Sequence, residues 1–302
     1  MKALPRKITD KGFRPDGRNW PLIVSFMIDC GGSTKSSTGT ALAVEAARRG
    51  YRGLYLDLDA NRSGSRVLGY DDTALEGRPT VADLVVGKAT LDEVAVPARV
   101  RIGPGYKENA FETIPNLRLL PASRDLSGAD TTIAVGSYGD WFVNLMHNYE
   151  GDDEVLWADF PAKYGKLPYS VARMMDESDA LIPSVRADPK DLKLVPDLFT
   201  ELEDIRAKNA GNRFVPGRPT VSHMVLTSTP TASYTEALPQ RAIDLAENLY
   251  GHLLLPYVRY SAEAKKIYES DCPIEYLAPH SYPAEDYRKI VTALGFERRP
   301  AA

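Results

Sequence analysis

The sequence predicts an α/β fold: one doubly wound, mostly parallel sheet flanked by helices. Three observations carry this. Short apolar runs alternate with helix-period segments along most of the 302 residues. A polar loop bearing two glycines, Asp29 to Ser37, joins the first apolar run to the first helical segment. The apolar runs at Gly53–Asp57 and Glu154–Asp159 both close on an aspartate, where strands of such a sheet present their chemistry.

Taken in order, Leu22 to Ile28 is a short apolar run and reads as a buried strand. Thr38 to Arg49 carries Ala41, Ala43, Val44 and Ala47 at helical spacing and stops at Gly50. Gly53 to Asp57 is a second strand, so the chain opens as a βαβ unit whose strands are parallel by the usual crossover rule. Leu117 to Leu120 is a third candidate strand, and a weaker helical stretch lies within Ala129 to His147. Glu154–Asp159 is a strand, Leu167–Glu177 a helix, Ala180–Val185 a strand and Pro189–Lys208 a long amphipathic helix. Val221–Thr227 is the last strand of the series and Thr235–Tyr250 the helix after it. The proline- and glycine-bearing stretches near 100–106 and 210–219 read as loops, and no internal repeat divides the chain. Residues 1–20 form a basic N-terminal arm and 21–302 a single domain.

Composition narrows the function classes. Apolar residues make up 43% and charged residues 26%, ordinary for a globular protein and unlike a disordered chain or a coiled coil. The run from Pro21 to Ile28 falls far short of the roughly 20 residues of a membrane span, and no apolar segment of signal-peptide type follows the basic N-terminus. Two cysteines, Cys30 and Cys272, make no disulfide framework, which points to a reducing cytoplasm. Four scattered histidines, His147, His223, His252 and His280, give no metal-ligand spacing. The net charge of −4 argues against a uniformly basic nucleic-acid binder but allows a local patch. The arm, with Lys2, Arg6, Lys7, Lys11, Arg14 and Arg18 against Asp10 and Asp16, is either a solvated tail or a segment that touches DNA or a partner.

The stretch Cys30-Gly31-Gly32-Ser33-Thr34-Lys35-Ser36-Ser37 is the most informative. A loop between a strand and a helix N-terminus offers free backbone N–H groups and the positive helix end to an anion. Gly31 and Gly32 let the backbone approach phosphate oxygens, Lys35 supplies a point charge, Ser36 places a hydroxyl on Mg²⁺, and Ser37 lies beside the α-phosphate. Ser33 and Thr34 complete the cradle, although Thr34 stands where the general pattern G-x-x-x-x-G-K-S/T has glycine. A serine-rich helix cap is the plainer alternative. Asp57 and Asp59 follow the second strand, where a carboxylate can face the γ-phosphate and position a water. Asp159 closes an apolar strand in Walker B fashion and would hold Mg²⁺.

With these residues in place the sequence resembles the ParA/MinD group of deviant Walker A ATPases, and especially ParA-type partition proteins. The group's K-G-G-x-G-K-S/T-S/T motif corresponds to Cys30–Ser37, and its D-x-D-P-Q to Asp57-Leu58-Asp59-Ala60-Asn61. Gly64–Gly69, Pro79–Gly87, Leu119–Ser123, Asp159-Phe160-Pro161-Ala162 and Tyr260–Tyr282 are similar to its continuation, so the resemblance spans roughly residues 21 to 295. It implies a P-loop ATPase of the deviant Walker A class that binds ATP and Mg²⁺. It further implies an ATP-dependent homodimer, non-specific DNA binding, and a ParB-like or other adaptor that stimulates hydrolysis. Such cycles position plasmids, chromosomes or large assemblies on the nucleoid. By position, Lys35 and Asp59 would be catalytic, Asp59 setting the attacking water, while Ser36, Asp57 and Asp159 would serve the metal.

The departures are specific. The lysine that reaches across the dimer is Cys30 here, and Lys163 and Lys166 are the candidates to replace it, with plain surface lysines as the alternative. Cys30 is either a small tolerated residue or a thiol activated by the helix end. Thr34 adds a Cβ near the phosphates, and Thr227 stands where relatives have an adenine-reading asparagine. Arg259, Lys265, Lys266, Arg288 and Lys289 are the candidate DNA contacts, or ordinary solvated helix faces. Three other functions remain: a nucleotide-dependent scaffold with little hydrolysis, a MinD-like membrane-associated ATPase, and a metabolic ligase or kinase on the same fold. The membrane variant is disfavoured by the short, weakly apolar tail after Leu294.

Overall fold

The computed structural model describes residues 5–13, 17–30, 34–102, 110–128, 131–133, 137–231 and 237–300. Its central sheet has the order β3-β4-β2-β5-β1-β6. The strands are β1 (Leu22–Phe26), β2 (Gly53–Asp57), β3 (Val96–Ile102), β4 (Ala110–Leu120), β5 (Val155–Asp159) and β6 (Ala180–Leu181). All neighbours run parallel except β3 against β4. The register brings two acids together: β5 lies between β1 and β2, with Asp159 level with Phe26 on one side and Asp57 on the other.

Both faces of the sheet are covered at β1, β2 and β5, which is why these strands are buried throughout and apolar at nearly every position. On one face, Leu22, Val24, Phe26, Tyr55 and Trp157 pack under helix α1 (Lys35–Arg48) and the C-terminal helix Tyr282–Ala293. Small residues let α1 lie close: a Cβ at Gly39 would sit 3.0 Å from the Phe26 ring. On the other face, Ile23, Leu54, Leu56 and Leu156 meet Phe142, Met146, Val171, Leu198 and Leu202 from the helices Trp141–His147, Lys166–Ala172 and Val195–Asn209.

Several elements differ from the sequence expectation, each for a local reason. The strand expected over 180–185 is split, because Pro183 has no N–H to donate. Ile182 N–H still reaches Ser25 O (2.9 Å), after which β7 (Ser184–Arg186) pairs with β8 (Val225–Thr227) in a second small sheet. The strand expected from Val221 is ordered as such only from Val225, Val221 making a single bridge to Leu181. The helix expected over 189–208 breaks into Pro189–Leu192, capped by the Asp188 carboxylate on Lys190 N–H (2.8 Å), and Val195–Asn209, which Pro196 restarts. Within the stretch 129–147, the described residues 131–133 and Trp141–His147 are helical, as expected, with a 3-10 turn at Ser137–Asp140 leading into the second. The antiparallel strand β3, unforeseen, extends the pairing of β4 well upstream of Leu117.

Several of the described N-terminal residues pack on the domain. Ile8 and Trp20 are buried, the Arg6 carbonyl meets His223 Nε2 at 2.9 Å, and Arg18 is buried against Asp179. No described helix is long and apolar enough to cross a membrane.

Candidate functional site

β1 delivers the chain to Asp29 and Cys30 at the carboxyl end of the sheet. Gly31, Gly32 and Ser33, three of the expected phosphate contacts, lie outside the described residues. The chain resumes at Thr34, and α1 begins at Lys35, three residues earlier than its apolar pattern suggested. Lys35 is buried and curls back beneath the loop, its Nζ donating to Ile28 O (3.1 Å) and Cys30 O (2.9 Å). Burial lowers its pKa, while Asp159 and Asp59 oppose that shift.

Asp57 and Asp159 are both fully buried. Asp57 is well provided: Oδ2 accepts from Ser65 N–H and Ser65 Oγ, each at 2.7 Å, and Oδ1 from Asp59 N–H at 3.1 Å. Asp159 Oδ2 accepts from Tyr55 OH at 3.2 Å, whereas its Oδ1 is buried with no hydrogen-bond partner. The Ser36 hydroxyl faces Asp159 and favours its charged form, short of a formed hydrogen bond. Burial raises the pKa of both acids, and mutual repulsion raises that of Asp159 further. Two neighbouring carboxylates, one with an orphaned oxygen, beside a hydroxyl make a set of hard oxygen donors suited to Mg²⁺.

Asp59 is half-buried and Asn61 N–H caps it at 2.8 Å. It opens onto a cleft of about 270 Å³ that Lys35, Ser36, Ser37, Asn61 and Tyr268 also line. A larger cleft, about 900 Å³, lies near the amino ends of the strands between Arg118, Trp141 and Asp152. It contains neither the loop nor the strand-end acids, so chemistry and not size identifies the site.

The departures from the motif find local explanations. The Thr34 hydroxyl bonds Ser184 Oγ (2.8 Å) and Thr227 Oγ1 (2.9 Å), on β7 and β8. Thr38, Ser184 and Tyr287 continue this hydroxyl network. Thr34 therefore fastens the loop to the sheet, and Thr227, buried and bonded to Thr34 and Val185 O, is turned into this network. Burial, and then the Asp191 carboxylate, push the Cys30 thiol up, against the lowering influence of Arg186 and Lys35. Arg186, 42% exposed at its side chain and paired with Asp191 at 2.8 Å, is a cation that acts on Cys30 and that sequence spacing did not single out.

The remaining candidates are spread out. Lys163 and Lys166 are exposed beyond Asp159 and outside the cleft lining, though Ala162 reaches it. Arg259 is held by Asp286 (2.7 Å) and Glu285 (3.1 Å), which compensates its charge, and Arg288 donates to Pro279 O (3.0 Å). Lys289 pairs with Asp286 at 2.9 Å but is mostly exposed. Lys265, above the Tyr260 ring at 5.5 Å, and Lys266 are exposed. Ser65, Tyr55 and Tyr268 were missed by the sequence reading. The first two only needed to be near the acids in space, and Tyr268 comes from a segment more than 200 residues from the loop.

No family model matches the chain. The cell division protein PomZ of Myxococcus xanthus is 22% identical over 273 residues, covering 86% of this chain and 74% of PomZ. Among solved structures, a Cyanothece McdA variant in complex with ATP superposes with a TM-score of 0.72 at 13% identity, covering 93% of this chain and 98% of McdA. Cobyrinic acid a,c-diamide synthase of Mycobacterium smegmatis, with a bound ATP analogue and magnesium, gives 0.68 at 17% identity, covering 93% of this chain and 99% of the synthase. The chain thus has the fold expected of ParA/MinD-type ATPases, and its similarity to PomZ agrees with the resemblance carried by its loop and strand-end acids.

Proposed function

We propose that the chain is a ParA-like positioning ATPase. It binds ATP and Mg²⁺ at the end of β1, dimerises on ATP, holds DNA non-specifically, and is released when a ParB-like or other cargo adaptor stimulates hydrolysis. Its place would be the cytoplasm, on the nucleoid. The observation that carries the reading is the orphaned, buried Oδ1 of Asp159 next to Ser36 at the start of α1. An isolated unpaired oxygen there is costly, and a divalent cation with its phosphate ligands would satisfy it.

Ser36 and Asp159 would hold the ion, with Asp57 behind them. Mg²⁺, when bound, supplies the charge that offsets the β- and γ-phosphates. Lys35 would exchange the carbonyls of Ile28 and Cys30 for phosphate oxygens, a stronger charge-assisted bond. Ser37, Thr34 and the glycines Gly31 and Gly32, with Ser33, would frame the phosphates. Asp59 would orient the attacking water from its position on the cleft wall. Lys163 or Lys166 would supply the cross-dimer charge that Cys30 lacks. Lys265, Lys266 and Lys289 are the cations best exposed for DNA.

The comparable likeness to the diamide synthase keeps an ATP-dependent ligase as a second reading. One experiment separates the two: ATP hydrolysis and DNA binding measured together at low and high salt, with Lys35→Ala, Lys163→Ala and Lys166→Ala beside the wild type. The partition reading expects salt-sensitive DNA binding that ATP switches on and Lys35→Ala removes. ATP binding without any DNA binding at low salt would refute it and favour the ligase.

A further inference from the structure

We propose that Arg186 is a phosphate-binding residue of the nucleotide site, a second cation beside Lys35 that meets the phosphates at the mouth of the cleft. The inference rests on the nucleotide-binding reading above and adds to it a residue from the second sheet.

The cleft is short of positive charge. Among the described residues that line it, Lys35 is the one cation; Asp59 lines it too, and Asp57 and Asp159 are buried next to it. A triphosphate stays negative with Mg²⁺ bound, so Lys35 alone leaves its charge unbalanced.

The strand geometry brings Arg186 to the loop. Side chains alternate along β7, so Arg186 leaves the same face as Ser184. Ser184 Oγ bonds Thr34 Oγ1 at 2.8 Å and Thr38 Oγ1 at 2.9 Å. On β8, Thr227 is the register partner of Arg186 and shares that face, and Thr227 Oγ1 also bonds Thr34, at 2.9 Å. Both neighbours of Arg186 on this face therefore touch the residue that precedes Lys35. Asp191 closes the link: its Oδ1 accepts from Cys30 Sγ at 3.7 Å and from Arg186 Nη2 at 3.1 Å. One oxygen thus joins the guanidinium to Cys30, which lines the cleft.

The guanidinium is also anchored in a way that suits a second anion. Asp191, buried in the helix Pro189–Leu192, takes Nε at 2.8 Å and Nη2 at 3.1 Å. That fork leaves Nη1 without a partner among the described residues, on a side chain 42% exposed. An arginine fixed by one carboxylate loses little freedom on meeting a phosphate, and its remaining donors match phosphate oxygens.

The test uses the full chain. A fluorescent ATP analogue with Mg²⁺ is titrated into the wild type, Arg186→Gln, Arg186→Lys and Arg186→Gln with Asp191→Asn, at low and high protein concentration, and each is unfolded in urea. Losing a charge-assisted bond predicts binding weaker by roughly ten- to a hundred-fold in Arg186→Gln. Arg186→Lys should recover part of it, since it keeps the charge without the fork. The double variant removes the unpaired buried carboxylate, so it should regain stability and still bind weakly. A deficit at every protein concentration assigns the phosphate to the same chain's nucleotide; one confined to the higher concentration assigns it to a second copy's. Either supports the proposal. Binding by Arg186→Gln within two-fold of the wild type at both concentrations overturns this inference alone, and so does wild-type binding by the double variant, which would make the role of Arg186 structural. A wild type that binds no nucleotide overturns the nucleotide-site reading and this inference with it.

Discussion

Replacing Arg18 by alanine tests whether the N-terminal residues are part of the fold. The Arg18 guanidinium is almost entirely buried and forks onto Asp179, with Nη1 at 2.9 Å and Nη2 at 2.7 Å, while Nη2 also donates to Pro21 O at 2.9 Å. Asp179 in turn accepts the N–H of Ile23 in β1 (2.8 Å) and of Asp176 (2.9 Å), so the pair ties the arm to the central sheet. Burial raises the Asp179 pKa, and Arg18 is the largest influence holding it down. Without Arg18 a buried carboxylate loses its countercharge, a change that costs about 3–5 kcal/mol. That is a large share of the roughly 5–15 kcal/mol by which domains are stable. The pH dependence has a definite sign. In Arg18→Ala the native pKa climbs further above that of the unfolded chain, so the native state binds more protons there. Stability is then lost as pH rises from about 4 through the native pKa. Urea unfolding followed by circular dichroism at pH 5 and pH 7 should show the larger deficit at pH 7. Arg18→Ala with Asp179→Asn should recover part of it, because the buried charge is gone. A deficit at pH 7 below about 0.5 kcal/mol, typical of a change on an open surface, would refute the argument. So would one of equal size at both pH values.

Two further outcomes are expected from the geometry. Thr34→Gly restores the motif's glycine but removes the bonds to Ser184 and Thr227; it should lower stability by about 1–2 kcal/mol in thermal melts and leave nucleotide binding at or above the wild-type level in a fluorescence titration. Burial lowers the His223 pKa from an ordinary 6.5 to about 4, the Arg6 carbonyl working the other way. The unfolded chain therefore takes up the proton first, and stability is lost as pH falls from 6.5 towards 4; His223→Gln should flatten the unfolding-midpoint profile over that window.

The βαβ opening was legible because Leu22–Ile28 and Gly53–Asp57 are apolar runs too short for helices and the stretch between them has helical spacing. The positions of Lys35 at a helix start and Asp159 at a strand end were readable for the same local reason: loop, helix start and strand end are fixed by contiguous residues. What sequence could not reach was pairing at a distance. β3 shows its alternation, Val96, Ala98 and Val100 inward, only when Pro97 is accepted on a sheet edge. Thr34 read as an intrusion on the phosphates because Ser184 and Thr227, its partners, are 150 and 193 residues away. The arm was open to two readings, a solvated tail or a segment that touches DNA or a partner, and the packing of Arg18 was hidden because Asp179, which neutralises it, lies 161 residues downstream. Arg259 was chosen for its charge, and the acids that compensate it stand 26 and 27 residues later.

The edge strand β3 also bears on how copies of the chain can meet. An open parallel sheet leaves a row of unpaired backbone groups that a second molecule can extend. Here that border is closed by a strand of opposite direction, with Pro97 lacking a donor and a register shift between Pro97 and Arg99. Arg99 stacks over Tyr70 and Phe111 at 4.3 and 4.0 Å, placing a guanidinium along the rim. A neighbouring chain that tried to continue the sheet would meet a kinked, cationic margin with a missing donor. Ribbon-like growth from this border is discouraged by its own backbone.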